Sequence, residues 1–199
     1  MKTNPAREAP EASARTVQVW IEPIADDPEA ISAREVAVRT FASGRGLKGL
    51  RRMRLVEITG ALAEPEEVRK HLHESTQFYN PHKERCHVRW SAGDPAPCSA
   101  GEHAVLVLER GGDRREAAER WWRHATGEAV KVREGVAWLV TPEAESGAAA
   151  LMEELVIVRD RRHGLLCNPN AQERREAKGV IPVPWLVAAR RARGERKDS

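Results

Sequence analysis

The side chains best suited to chemistry gather between positions 71 and 103. His71, His73, His82, Cys86, His87, Cys98 and His103 all lie in that stretch. Imidazole and thiolate are zinc ligands, and zinc takes four of them in a tetrahedral set, usually drawn from closely spaced pairs. Only His82 and Cys86 approach such a spacing, and no second close cysteine pair accompanies them. His71 and His73 are two apart, so on a helix they cannot share a face. This pattern leads us to expect no metal site. No catalytic or cofactor-binding residue is expected either, because the chain has no G-x-S-x-G, no H-E-x-x-H, no Walker A sequence and no G-x-G-x-x-G. The nearest thing to a phosphate loop, ASGRGLKG at 42–49, lacks the Gly-Lys-Ser/Thr end and reads as a helix stop and turn.

Six tryptophans stand against one tyrosine and two phenylalanines. Trp121 and Trp122 are adjacent in a helical stretch, so one faces the core while the other points sideways. A tryptophan buries a large area at low entropic cost, which suits an interface anchor. Trp121 and Trp122 are therefore candidate interface residues, either between parts of this chain or with a partner. RNA recognition by a sheet face would need exposed aromatics among basic residues. RRMRLVEI at 51–58 has the arginines but no aromatic, so nucleic acid is not the expected partner.

The elements that would position these residues follow an order that occurs twice. TVQVWIEPI at 16–24 predicts a strand. Asp27 and Pro28 suit the cap and first position of a helix with Ile31, Val38 and Phe41 on one face and Gly44 or Gly46 at its end. GLRRMRLVEITGAL predicts one or two strands. A second helix runs from Pro65 towards Tyr79, with Asn80 and Pro81 as its stop. ERCHVRW then gives a strand. After the linker-like SAGDPAPCSAG the order resumes. HAVLVLERGG predicts a strand, and DRREAAERWWRHATG a helix capped by Asp113 and stopped by Gly127. EAVKVREGVAWLV predicts a strand pair or one bent strand, and Thr141-Pro142-Glu143 a further helix start. Leu151, Leu155, Val158 and Leu165 keep helical spacing towards a stop at Asn168 and Pro169, although LVIVRD within this stretch also fits a strand. GVIPVPWLV reads as an irregular edge strand. Asn80 and Asn168 are 88 positions apart (168 − 80), as are Val17 and Val105.

These expectations give an α+β fold of two tandem β-α-β(β)-α-β units, with small antiparallel or mixed sheets and helices on one face. The predicted organisation is a disordered lead at 1–15, a first unit at 16–90, a linker at 91–102, a second unit at 103–187 and a basic tail at 188–199. The net charge of +3 is uneven, since residues 174–199 carry eight Lys/Arg against three Asp/Glu. Such a tail reads as a solvated chain end. Three cysteines without regular spacing argue against a disulfide framework. With no apolar leader and no long apolar run, a cytoplasmic protein without a membrane segment is expected.

The first unit resembles PurS, the small subunit of phosphoribosylformylglycinamidine synthase. The likeness runs through VQVWIEPIADDPEA, KGLRRMRLVEI and FYNPHKERCHVRW, covering roughly 17–90. The second unit keeps VKVREGVAWLV and LLCNP but has no Asp-Pro before its first helix. The resemblance implies a tandem PurS-like pseudo-dimer without catalytic residues or cofactors. It implies an accessory role in purine biosynthesis, bridging the synthetase and glutaminase subunits and aiding ammonia transfer. Further oligomers of the chain are compatible with it.

Overall fold

The computed structural model describes residues 14–160 and 163–187. Most of the expected lead and the whole basic tail at 188–199 lie outside the described residues. The chain forms β1 (Arg15–Pro23), α1 (Pro28–Thr40), β2 (Leu47–Gly60), α2 (Pro65–Glu74), β3 (Glu84–Arg89), β4 (His103–Glu109), α3 (Glu116–Thr126), β5 (Val130–Pro142), α4 (Glu145–Leu155) and β6 (Gln172–Lys178). The order β-α-β-α-β thus occurs twice. The strands form one six-stranded sheet in the order β3-β1-β2-β5-β4-β6, with every neighbouring pair antiparallel. The two halves meet edge to edge at the centre, where β2 and β5 pair from Gly60↔Val130 to Leu50↔Val140.

All four helices cover one face, and they group across the halves. Val68 and Leu72 of α2 share a cluster with Ala118 and Trp122 of α3, over Val17, Val19 and Ile21 of β1. Ala30 and Ala37 of α1 share a second cluster with Leu151 and Leu155 of α4. Each cluster draws on both halves, so neither half buries its helices alone.

The opposite face is also covered, so β1 is buried on both sides, with Gln18 and Trp20 facing the second layer. Ile181, Trp185 and Leu186 lie over Trp20, Met53, Leu55, Leu106 and Leu139, and Ala96 and Cys98 of the connection between the halves join them. GVIPVPWLV is therefore a strap across the sheet. Its prolines deny it ladder hydrogen bonds, and side chains hold it instead.

Asp27 caps α1 as expected, accepting from the amides of Glu29 and Ala30, with Pro28 in the first turn. Gly127 ends α3 in the left-handed conformation, with φ 79°. Several expectations need correction. Ile31 and Val38 are exposed, and the buried side of α1 is Ala30 and Ala37. Neither Gly44 nor Gly46 stops α1, which ends at Thr40 before an extended Phe41. Gly44 instead approaches the helix closely, and a Cβ there would lie 2.1 Å from the Ala37 carbonyl oxygen. Asp113 does not cap α3. Its carboxylate pairs with Arg133 and its carbonyl accepts from the Glu134 amide, leaving Arg115 at the cap position. Pro142 closes β5, and α4 starts beyond Ala144.

The segment 151–167 is neither one helix nor a regular strand. Helix α4 stops at Leu155, and an isolated parallel bridge joins Ile157 to Cys167. Gly164 brings the returning chain close, with φ 84° and room for no Cβ beside the Ile157 carbonyl.

Candidate functional site

The two Asn-Pro pairs are brought to equivalent places, but not as helix stops. α2 ends at Glu74 and α4 at Leu155, well before Asn80 and Asn168. Each asparagine opens the turn into the last strand of its half. The Asn80 side-chain oxygen accepts from the His82 amide at 3.0 Å, and its carbonyl accepts from the amides of Lys83 and Glu84. The Asn168 side-chain oxygen accepts from the Asn170 amide at 3.0 Å, and its carbonyl from Ala171 and Gln172. Both asparagine amides donate to the side chain four residues on, Glu84 in one half and Gln172 in the other. Pro81 and Pro169 occupy the turn position where a fixed φ is useful and no amide is needed.

Between the two helix clusters the sheet carries a polar row. Leu50 and Val56 of β2 belong to different clusters, and Arg52 and Arg54 lie between them on the same face. Arg54 donates to the Phe78 carbonyl at 2.8 Å and to Glu84 at 3.1 Å, and reaches Glu134 of the other half at 3.5 Å. Arg115 also pairs with Glu134. Arg52 donates to Asp27 at 2.9 Å and pairs with Glu29 at 2.6 Å. Burial pushes the Asp27 carboxyl up, but Arg52 and the two capping amides outweigh it and hold the group below its ordinary value. A cavity of about 180 Å³ opens over this row, lined in part by Asp27, Arg52, Arg54 and Glu84. The arrangement ties α1, β3 and the second half to the centre of the sheet.

The tryptophan pair lies where the halves meet. Trp122 is fully buried, and its indole N–H donates to Glu128 at 3.2 Å. Its ring meets Phe78 edge-on at 5.8 Å and His71 at 5.8 Å, both from the first half. Trp121 is half-buried and meets Phe78 at 5.9 Å. His73 is linked to the Tyr79 hydroxyl through Nδ1. The histidines of α2 thus serve aromatic packing. Among the described residues no group of three or more His, Cys, Asp or Glu is arranged to hold a metal. Burial pushes the Cys86 thiol up to about 11, and burial also raises Cys98 and Cys167. All three therefore stay protonated near neutrality and are poor nucleophiles.

A buried polar cluster on the opposite face was missed in the sequence. Glu57 accepts from Gln18, from the Trp185 amide and from the Leu186 amide at 3.0 Å. Gln18 donates to the Pro182 carbonyl at 2.7 Å, and Arg89 donates to Gln18 at 2.7 Å and to the Ile181 carbonyl at 3.2 Å. These three polar side chains are almost wholly inaccessible. The signal was a charge inside an apolar strand run, as in RLVEI and CHVRW.

Among the described residues no helix is long and apolar enough to cross a membrane. No family model, curated protein or solved structure matches the chain.

Proposed function

We propose that this chain is a covalent pseudo-dimer of a PurS-like unit and acts in the cytoplasm as a non-catalytic accessory subunit of phosphoribosylformylglycinamidine synthase. In this reading it bridges the synthetase and glutaminase and aids ammonia transfer between them. The observation that carries it is internal duplication. Two β-α-β-α-β halves join through β2 and β5, and their Asn-Pro turns carry matching hydrogen bonds. A second support is the likeness of residues 17–90 to the PurS pattern. A rigid unit held by ion pairs across the seam suits a scaffold, because its surfaces keep a fixed relative geometry.

The test is light scattering after size exclusion, with the chain alone and then mixed with the synthetase and glutaminase of the same organism, glutamine and ADP-Mg being present. Co-elution as a stoichiometric complex is the expected result. A chain that elutes alone at every concentration overturns the assignment.

A further inference from the structure

The duplication makes each half a control for the other, and the two edges of the sheet show it. β3 closes the sheet at one end and β6 at the other, so each has one side without a neighbouring strand. The Ile24 amide donates to the Lys83 carbonyl at 2.8 Å, which fixes the phase of the β1–β3 ladder. Hydrogen-bonded pairs alternate along an antiparallel ladder. Arg85, His87 and Arg89 therefore spend their backbone groups on β1, while Cys86 and Val88 turn theirs outward. At β6 the Arg110 amide on the Ala171 carbonyl sets the same phase, so Arg174 and Glu176 turn outward. These residues stand 88 positions beyond Cys86 and Val88 (174 − 86 and 176 − 88).

The side chains treat the two edges differently. An open strand edge is a template for another strand, and charged side chains commonly guard it. Along β6 such guards of both signs stand on both faces. Arg174 and Glu176 pair with each other on the helix side, and Glu173 and Arg175 lie on the side of the strap. β3 lacks this mixture. Beyond Glu84, which is held by Arg54, its helix side is Cys86 and Val88, continued by Trp90, and all three pack against the core. Its other side carries Lys83, Arg85 and His87, all exposed and all basic in type. Lys83 and Arg85 make no side-chain hydrogen bond or ion pair among the described residues. Glu22, the neighbour of Arg85 across the ladder, is paired with Arg51.

We infer that the outer edge of β3 takes up an extended segment of another protein as a further antiparallel strand, one in which acidic and apolar residues alternate. The backbone groups of Cys86 and Val88 supply the hydrogen bonds, and the side chains on either face select the segment. Residues opposite Cys86 and Val88 are apolar and continue the layer beneath α2. Residues opposite Lys83, Arg85 and His87 are acidic, because opposite charges attract across a strand pair and like charges repel. The same rule disfavours a second copy of β3 as the occupant. Antiparallel self-pairing sets outward residues opposite outward ones, and so brings the basic row against itself. Pairing with β6 of a second copy would set charged side chains against Cys86 and Val88. This edge is independent of the scaffold reading, and either can fail without the other.

Amide NMR spectra of the full chain, titrated with a short acetylated peptide alternating valine and glutamate, test it. The comparison probes are the same peptide with lysine for glutamate, and the glutamate peptide N-methylated at its valines, whose amides face β3. The glutamate peptide is expected to bind with a Kd between about 10 μM and 1 mM, shifting the amides of Cys86 and Val88 and not those of Arg174 and Glu176. The lysine peptide should bind at least about tenfold more weakly, from the cross-strand charge pairs. The N-methylated peptide should not bind at about 1 mM. Arg85→Glu should weaken the glutamate peptide by about threefold to tenfold and strengthen the lysine peptide. Equal affinity for the glutamate and lysine peptides overturns the proposal on the unaltered chain. So does undiminished binding of the N-methylated peptide, a response at β6 in place of β3, or no binding at about 1 mM. A dimer in light scattering whose Cys86 and Val88 amides resist hydrogen exchange also overturns it, because a second copy then fills the edge.

Discussion

Trp185→Ala tests the most consequential packing interaction in the fold. Trp185 is only 4% exposed and stacks on Trp20, with ring centroids 6.1 Å apart and planes 28° apart. A buried tryptophan withdraws on the order of 200 Å² from water. At about 25 cal/mol per Å² this is worth about 5 kcal/mol. Truncation to alanine should therefore destabilise the chain by about 3–5 kcal/mol. The amides of Trp185 and Leu186 still have Glu57 as acceptor, so the strap can stay seated over a cavity. If it peels away instead, Ile181 and Leu186 leave the core with it, and less surface is exposed on unfolding. Urea denaturation followed by circular dichroism reads the loss, and the slope separates the two cases. Hydrogen exchange at the Trp185 and Leu186 amides reports the strap directly. Val187→Ala is the control, because Val187 is 43% exposed, and should stay within about 0.5 kcal/mol. A loss below about 1 kcal/mol for Trp185→Ala, with exchange unchanged, would refute the view that the strap belongs to the core.

Other consequences can be checked on the same unfolding curves. Burial pushes the Glu57 carboxyl above its ordinary value of 4.5, against the amides of Trp185 and Leu186 and the side chain of Gln18. The folded chain then holds this proton more tightly than the unfolded one. Stability should fall as pH rises from the ordinary value through the raised one, and Glu57→Gln should remove that slope. Asp27 is shifted the other way, so its contribution is present above the ordinary 3.8 and is lost as pH falls through the lowered value. Asp27→Ala should cost about 1 kcal/mol near neutrality and flatten this acid dependence. Gly164→Ala should cost more than about 2 kcal/mol, since it combines a positive φ with a clash against the Ile157 carbonyl, measured by urea midpoint. Asn80→Ala and Asn168→Ala should each cost about 1 kcal/mol, and their double variant should show the sum.

Local chemistry made much of the fold legible. The strands β1, β4 and β5 announced themselves as β-branched and apolar runs, and Asp27-Pro28 marked the start of α1. The repeat was visible because a turn with a fixed hydrogen-bond pattern needs an asparagine and a proline in both halves. The role of that pair was misread. Asn-Pro looks the same in sequence whether it ends a helix or opens a strand, and only the distance from Glu74 and Leu155 to the turn distinguishes the two. The candidate interface pair, Trp121 and Trp122, was recognisable by type. Its aromatic partners in the other half were not, because the contact depends on how α2 and α3 sit over the sheet.

By itself the sequence determined the α+β class, the cap of α1 and most of the doubled element order, since each depends on residues near one another in the chain, but it put the last strand at GVIPVPWLV, whereas the strand is the charged Gln172–Lys178. Tertiary structure decided the rest. The pairing of β2 with β5 made one sheet of two halves, and the grouping of helices across them set which apolar faces are buried. Ile31 and Val38 keep helical spacing yet stay exposed, because burial depends on what lies opposite a helix. Glu57, Gln18 and Arg89, the sheet residues that hold the strap, also meet only in three dimensions. Gln18 and Glu57 are 39 positions apart, and the carboxylate accepts amide hydrogen bonds from 128 and 129 positions away. Hydrogen-bond partners at such separations leave no local pattern, because they are chosen by the folded sheet rather than by neighbouring residues.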